Sequence, residues 1–134
     1  MTEFVDTSAF FALLDDDDAH HARARVHLQE VLAAGVDLLT HEYVVVETTA
    51  LVQRRLGLEA LRRFADDLLP LVEVAWVDEA LHGEAREALL AAGRRNVSLV
   101  DWTSFLVMRR LGVRKAFTFD PDFGVEGFEV LPAS

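Results

Sequence analysis

The chain has 134 residues, 51% of them hydrophobic, enough for one compact domain with a real core. It carries no cysteine, which excludes disulfides and thiolate metal sites and is compatible with a reducing compartment. Its formal net charge of −10, from 13 Lys and Arg against 23 Asp and Glu, argues against a general nucleic-acid binder with a basic face, while permitting a cation-collecting site or a basic partner.

Thr2 to Val5 reads as a short buried strand, with Asp6 at its carboxyl end. Ser8 is placed to cap a helix starting at Ala9, its hydroxyl accepting a first-turn N–H. A carboxylate between a strand end and a helix start lies where open α/β sheets bind ligands; the competing reading of Asp6 is a helix cap beside Ser8. Four successive carboxylates at 15–18 repel one another and read as a loop, expected to cap the next helix in solvent, with a cation site as the minor alternative. Residues 19–34 then read as a helix with Ala22, Val26, Val31 and Leu32 as its apolar stripe and Gly35 as its stop. His20 and His21, being adjacent, point to different helix faces and are read as surface residues rather than joint metal ligands.

Residues 36–40 form the next expected strand, and Thr40 or His41 starts another helix. The run Val44-Val45-Val46 makes a strand a competitor there, but length and the Gly57 stop favour helix. Glu47 falls in the middle of that helix's apolar face, where an unpaired carboxylate is expensive to bury, so it needs either a basic partner or a polar, solvated site. A helix over 58–69 closed by Pro70, a short strand over 71–76 and an Asp78-capped helix ending at Gly93 follow. Ser98-x-x-Asp101 is a capping box opening a helix that runs to Leu111 and stops at Gly112. Residues 115–119 read as a strand, Asp120-Pro121-Asp122 as a turn, and 126–131 as a last edge strand. The pairs Arg54-Arg55, Arg62-Arg63, Arg94-Arg95, Arg109-Arg110 and Arg114-Lys115 are read mainly as solvated helix faces.

Strands separated by helices imply an α/β fold, a mainly parallel sheet with helices on both faces, in one domain over 1–134. No apolar run reaches the ~18 residues of a membrane span, and no charged segment followed by an apolar one opens the chain, so a soluble cytoplasmic protein is expected. In a parallel sheet, strand ends and the starts of following helices share one edge. Asp6, Glu47, Asp101 and Asp120 therefore have comparable placements despite their distance in sequence. Gathered carboxylates raise one another's pKa unless a cation intervenes. Hard oxygen ligands without cysteine or a well-placed histidine suit Mg²⁺ or Mn²⁺ better than Zn²⁺. The chemistry this suggests is phosphodiester hydrolysis, with the metal generating the nucleophile and stabilising the leaving oxygen.

Val5-Asp6-Thr7-Ser8, Glu47 on an apolar helix, Ser98-x-x-Asp101 and Thr118-Phe119-Asp120-Pro121-Asp122-Phe123, in that order, resemble the PIN-domain ribonucleases, and size and order resemble the VapC-type toxins among them. The resemblance implies a PIN-like three-layer sandwich with four to five strands and Mg²⁺- or Mn²⁺-dependent endonucleolytic cleavage of RNA. It matches Asp6, Glu47, Asp101 and Asp120 to the family's acidic residues, with Asp122 as a second candidate for the fourth acid, and Thr7 or Ser8 to its hydroxyl near the metal. Asp6, Asp101 and Asp120 would hold the metal, and Glu47 would orient the attacking water or act as base. The resemblance also implies a cognate antitoxin that blocks the site and a homodimer. Three other readings are a degenerate PIN-like binding module, an RNA-processing PIN nuclease without an antitoxin, and a receiver-type phosphoacceptor domain. The last wants an acidic pair after the first strand and a lysine ending the last core strand; Thr7-Ser8 and the position of Lys115 fit neither.

Overall fold

A computed structural model describes residues 1–133. Five strands, β1 (Thr2–Val5), β2 (Asp37–His41), β3 (Val72–Ala75), β4 (Lys115–Phe117) and β5 (Glu129–Leu131), form one parallel sheet in the order β3-β2-β1-β4-β5. Seven helices flank it: α1 (Thr7–Leu14), α2 (His21–Ala33), α3 (Glu42–Arg55), α4 (Leu58–Arg63), α5 (Glu79–Ala92), α6 (Leu99–Leu111) and α7 (Asp122–Val125). The expected α/β class and strand number hold, and β5 lies at an edge as anticipated. Among the described residues no helix is long and apolar enough to cross a membrane.

The strand order explains where a site can form. The chain leaves β1 toward β2 and β3, then returns to the other side of β1 to lay down β4 and β5. The reversal falls between β1 and β4, and in a parallel sheet the crevice outside the carboxyl ends of such a strand pair is open for ligands. The amide of Asp6 donates to Phe117 O at 3.1 Å, so the two strand ends are stitched together as they leave the sheet.

The core is rich in phenylalanine. Phe4, Phe10, Phe64, Phe105, Phe117 and Phe123 are fully buried, each contributing roughly 1.5–3 kcal/mol by leaving water. Phe123 stacks on Phe4 of the central strand (6.2 Å between centroids) and meets Phe105 edge-on at 5.0 Å. Because Phe123 follows Asp120-Pro121-Asp122, this contact fastens the acidic loop after β4 to the centre of the sheet.

Several local expectations change. Helix α1 starts at Thr7, not Ala9, and its N-cap is Asp6 rather than Ser8. Helix α2 is shorter than 19–34 and buries Ala24, His27 and Val31, while Val26 and Leu32 are exposed. Treating His27 as polar rotates the apparent stripe by one position; counting it as apolar restores the 24, 27, 28, 31 spacing of a helix face. His20 and His21 are half-buried rather than free surface residues: His20 stacks on Phe119 (4.3 Å, 9° between planes) and His21 Nδ1 hydrogen-bonds Ala12 O at 2.8 Å. The expected helix over 58–69 is α4 followed by a π turn at Phe64–Leu68 and a 3₁₀ turn at Leu69–Leu71, which carries Pro70. Strand β4 ends at Phe117, so Phe119 belongs to the loop, and the Asp120-Pro121 turn leads into α7. Helices α5 and α6 start and stop where the sequence places them, with Gly93 (φ 65°) and Gly112 (φ 68°) in the left-handed C-cap conformation that favours glycine.

Candidate active site

Asp6 follows β1 and lies at the crevice. Its side chain is almost wholly buried, at 4% exposure. As a helix cap it is weak, since Ser8 N stands 3.5 Å from Oδ2, at the outer limit of a hydrogen bond. Two hydroxyls serve it better: Ser8 Oγ and Thr118 Oγ1 each donate to Oδ2 at 3.0 Å. The hydroxyls lie 3.1 Å apart, and they also accept the amides of Phe119 (2.9 Å, on Ser8 Oγ) and Asp120 (3.0 Å, on Thr118 Oγ1). The N-terminus of α1 and the loop after β4 are thereby knitted around one carboxylate oxygen. Thr7 takes another part: it is buried and its Oγ1 accepts from Thr48 Oγ1 at 3.3 Å, bracing α1 against α3. Of the two candidate hydroxyls, Ser8 is the one on Asp6. Thr118 acts equally, though in the sequence it was only one member of a motif; its position just past the end of a strand beside Asp6 is visible once the strand order is known.

Asp101 sits in the first turn of α6. The predicted capping box is present: Ser98 Oγ accepts the Asp101 amide at 3.1 Å, and Asp101 Oδ2 accepts the Ser98 amide at 2.9 Å. Asp120 Oδ1 accepts the Asp122 amide at 2.9 Å, an Asx-type turn. Asp122 is engaged by Arg94 Nη2 at 2.8 Å, and Arg94 also reaches Glu126 at 3.7 Å. Of the two aspartates in that loop, Asp122 is neutralised by a cation and Asp120 is the freer acid. Glu47, half-buried on α3, makes no salt bridge among the described residues, so the basic partner that would offset its burial is not found.

The electrostatics tie these groups together. Burial pushes Asp6 up from 3.8 to about 7, and the negative charge of Asp101 adds to the rise against the hydroxyl bonds that lower it. Asp101 is also raised, chiefly by burial, with Asp120 and Glu47 as repelling neighbours. Asp120 is raised by burial and by Asp122, offset by Arg94. Asp101 is thus the common neighbour of Asp6, Asp120 and Glu47. Each aspartate has one oxygen committed to protein donors, Oδ2 in Asp6 and Asp101 and Oδ1 in Asp120, and its other oxygen uncommitted. The only fully buried side-chain polar atom without a partner among the described residues is Trp102 Nε1, so the second Asp6 oxygen keeps a path to solvent. Among the described residues no group of three or more acids or histidines is placed to hold a metal ion. What the chain presents is a set of carboxylates each with one oxygen left without a protein donor.

Residues 4–125 match the PIN domain family. The chain belongs to that family. This PIN domain is 38% identical over 131 residues to the 23S rRNA-specific endonuclease VapC20 of Mycobacterium tuberculosis, covering 96% of this chain and 98% of that one. The crystal structure of that protein, a sarcin-ricin loop cleaving toxin, has a TM-score of 0.82 at 36% identity over 96% of each chain. A VapBC2 complex from Rickettsia felis, bound to a fragment of its promoter DNA, has a TM-score of 0.71 over 97% of each chain; at 16% identity it shows the shared fold.

Proposed function

We propose that this PIN domain is a metal-dependent endoribonuclease and the toxin of a toxin–antitoxin pair. The observation that supports this most is the coupling of buried Asp6 to Asp101 at the sheet's reversal point, beside Asp120 and Glu47. The relative's activity on 23S rRNA makes large-subunit ribosomal RNA the first substrate to try. In this reading Asp6, Asp101 and Asp120 would hold Mg²⁺ or Mn²⁺, one or two of them directly, since no three acids among the described residues are placed to share an ion. A donor set of one or two carboxylates with an open side is how Mg²⁺ is usually held, the remaining positions going to waters and phosphate oxygens. When bound, such an ion would supply activation of the attacking water and stabilisation of the leaving oxygen.

The chain's own groups do the rest. Ser8 and Thr118 hold Asp6 by one oxygen, so its other oxygen keeps a fixed direction. Glu47, without a cation partner among the described residues, orients the attacking water or takes its proton. Arg94 keeps Asp122 occupied, which spares Asp120 for the site. A small antitoxin with a basic side chain would suit the acidic row and block it, and we take the working form to be a homodimer. The test is cleavage of ribosomal RNA by the purified protein with Mg²⁺ or Mn²⁺ against the same reaction in EDTA. Metal-dependent cleavage lost in Asp101→Asn supports the reading; cleavage unchanged in that variant removes Asp101 from the centre.

A further inference from the structure

On the β3 side of the acids lies a mainly apolar groove of about 370 Å³, lined by Tyr43, Glu47, His82, Leu99 and Val100 among others. Its volume falls within the range of small-ligand clefts. It is continuous with the acidic row through Glu47, and Leu99 and Val100 stand just before Asp101. Tyr43 Oη and His82 Nδ1 are hydrogen-bonded at 2.8 Å, which fixes a phenol and an imidazole edge-on to each other (84° between planes) across α3 and α5. Further along the same sheet edge, Trp76 follows β3 and is 77% exposed. Its segment is held there: Val77 N donates to Glu42 Oε1 at 2.7 Å, which pins the residue after Trp76 to the first residue of α3, next to Tyr43.

An exposed indole and a half-buried phenol near an acidic site fit a particular difficulty of this chain. With a net charge of −10 it gains little from neutralising phosphates. Nucleobases are uncharged and stack on aromatic rings whatever the charge of the protein. We propose that Trp76 and the Tyr43–His82 groove form a base-binding track, in which unpaired nucleobases on one side of the scissile phosphate stack and insert while the phosphate reaches the acids. The proposal rests on the nuclease reading for the placement of the phosphate, but the track itself is tested without cleavage. Tyr43 Oη, His82 and the Glu47 carboxylate supply donors and acceptors for a base edge, so the groove selects among bases where Trp76 does not. Gripping bases rather than phosphates makes binding of single-stranded RNA weakly salt-dependent.

The chain has two tryptophans, and Trp102 is buried at 8% exposure, so solvent-exposed indole emission reports Trp76. The experiment titrates single-stranded oligoribonucleotides of each base into the metal-free protein in EDTA, following that emission at several salt concentrations. Expected are quenching on binding and a salt slope well short of one unit per phosphate spanned; anisotropy of a dye-labelled oligoribonucleotide, which reads binding without the indole, is expected to show a roughly tenfold weaker affinity in Trp76→Ala that Trp76→Phe restores. Tyr43→Ala is expected to flatten the preference among bases. Emission that does not respond to RNA but shifts with protein concentration would assign the surface to a second copy and overturn the proposal. Binding unchanged in both alanine variants, or a salt slope set by phosphate count, overturns it as well. Oligonucleotide binding with these signatures but no cleavage of any RNA with metal would leave the track standing and fail the nuclease reading instead.

Discussion

Strand β1 and the residue that follows it carry two buried carboxylates three residues apart, and the chain treats them in opposite ways. Glu3, 2% exposed, meets His27 of α2 at 2.5 Å, and both side chains lie inside the protein, with Phe117 edge-on to the imidazole. Asp6, 4% exposed, has no cation partner among the described residues; it has two hydroxyls and another carboxylate. A buried charge with a partner is a structural device, while one left facing like charge is a liability that a folded protein keeps only where something else requires it. The difference separates the end of β1 that holds the fold together from the end proposed to do chemistry.

The sharpest break in this comparison is removal of one member of the structural pair. Glu3→Ala strands His27 in the interior and is expected to destabilise by about 3–5 kcal/mol in chemical denaturation, with RNA cleavage per folded molecule unchanged. Replacing Glu3 and His27 together by leucine should recover much of that loss, because the burial of polar groups goes with the pair.

Asp6 should respond to pH in the sense that its burial beside Asp101 dictates. Its folded value of about 7 lies above the unfolded 3.8, so the folded protein holds this proton more tightly. The contribution to stability is fully present below about pH 4 and is lost as pH rises through about 7; the shift corresponds to roughly 4 kcal/mol as an upper bound. Metal-free protein is therefore expected to melt at a lower temperature at pH 8 than at pH 6, Asp6→Asn to reduce that difference, and Mn²⁺ to raise the pH 8 melting temperature of the wild type but not of the variant. A wild-type melting temperature indifferent to Mn²⁺ at pH 8 would count against the site. In cleavage, Asp6→Asn should lose about 100-fold or more, the scale of removing one charge-handling group from an active site. The smallest effect expected is that of Ser98→Ala, near 1 kcal/mol in stability from the lost cap, together with a fall in cleavage because Asp101 loses one of its two anchors.

The two ends of β1 also differ in how they could be read before the fold was known. Asp6, Asp101 and Asp120 stand at boundaries that local chemistry marks: a strand end before hydroxyls, a capping box, a strand end before proline. Those boundaries, the Gly93 and Gly112 stops and the parallel class all follow from spacing within a dozen residues. The Glu3–His27 pair does not, because it joins a strand to a helix across 24 positions and a polar residue in a buried stripe looks like a break in the stripe. His41 was legible as a start of α3, which it caps through Nδ1; its bond from Nε2 to Ser104 Oγ at 2.8 Å, across 63 positions, and the burial that pushes it down to about 4 were not. Strand order was equally silent in the sequence; it places Thr118 beside Asp6 and decides which edge of the sheet the acids share.

The capping box at the start of α6 has a further consequence. One oxygen of Asp101 closes the backbone of the helix, and the other faces the acidic row, so a single side chain belongs to both secondary structure and chemistry. A chain still assembling, with the first turn of α6 unwound, has no fixed Asp101 and therefore no complete cutting apparatus. Closing the first turn of α6 and fixing Asp101 for the acidic row are therefore one and the same event in folding.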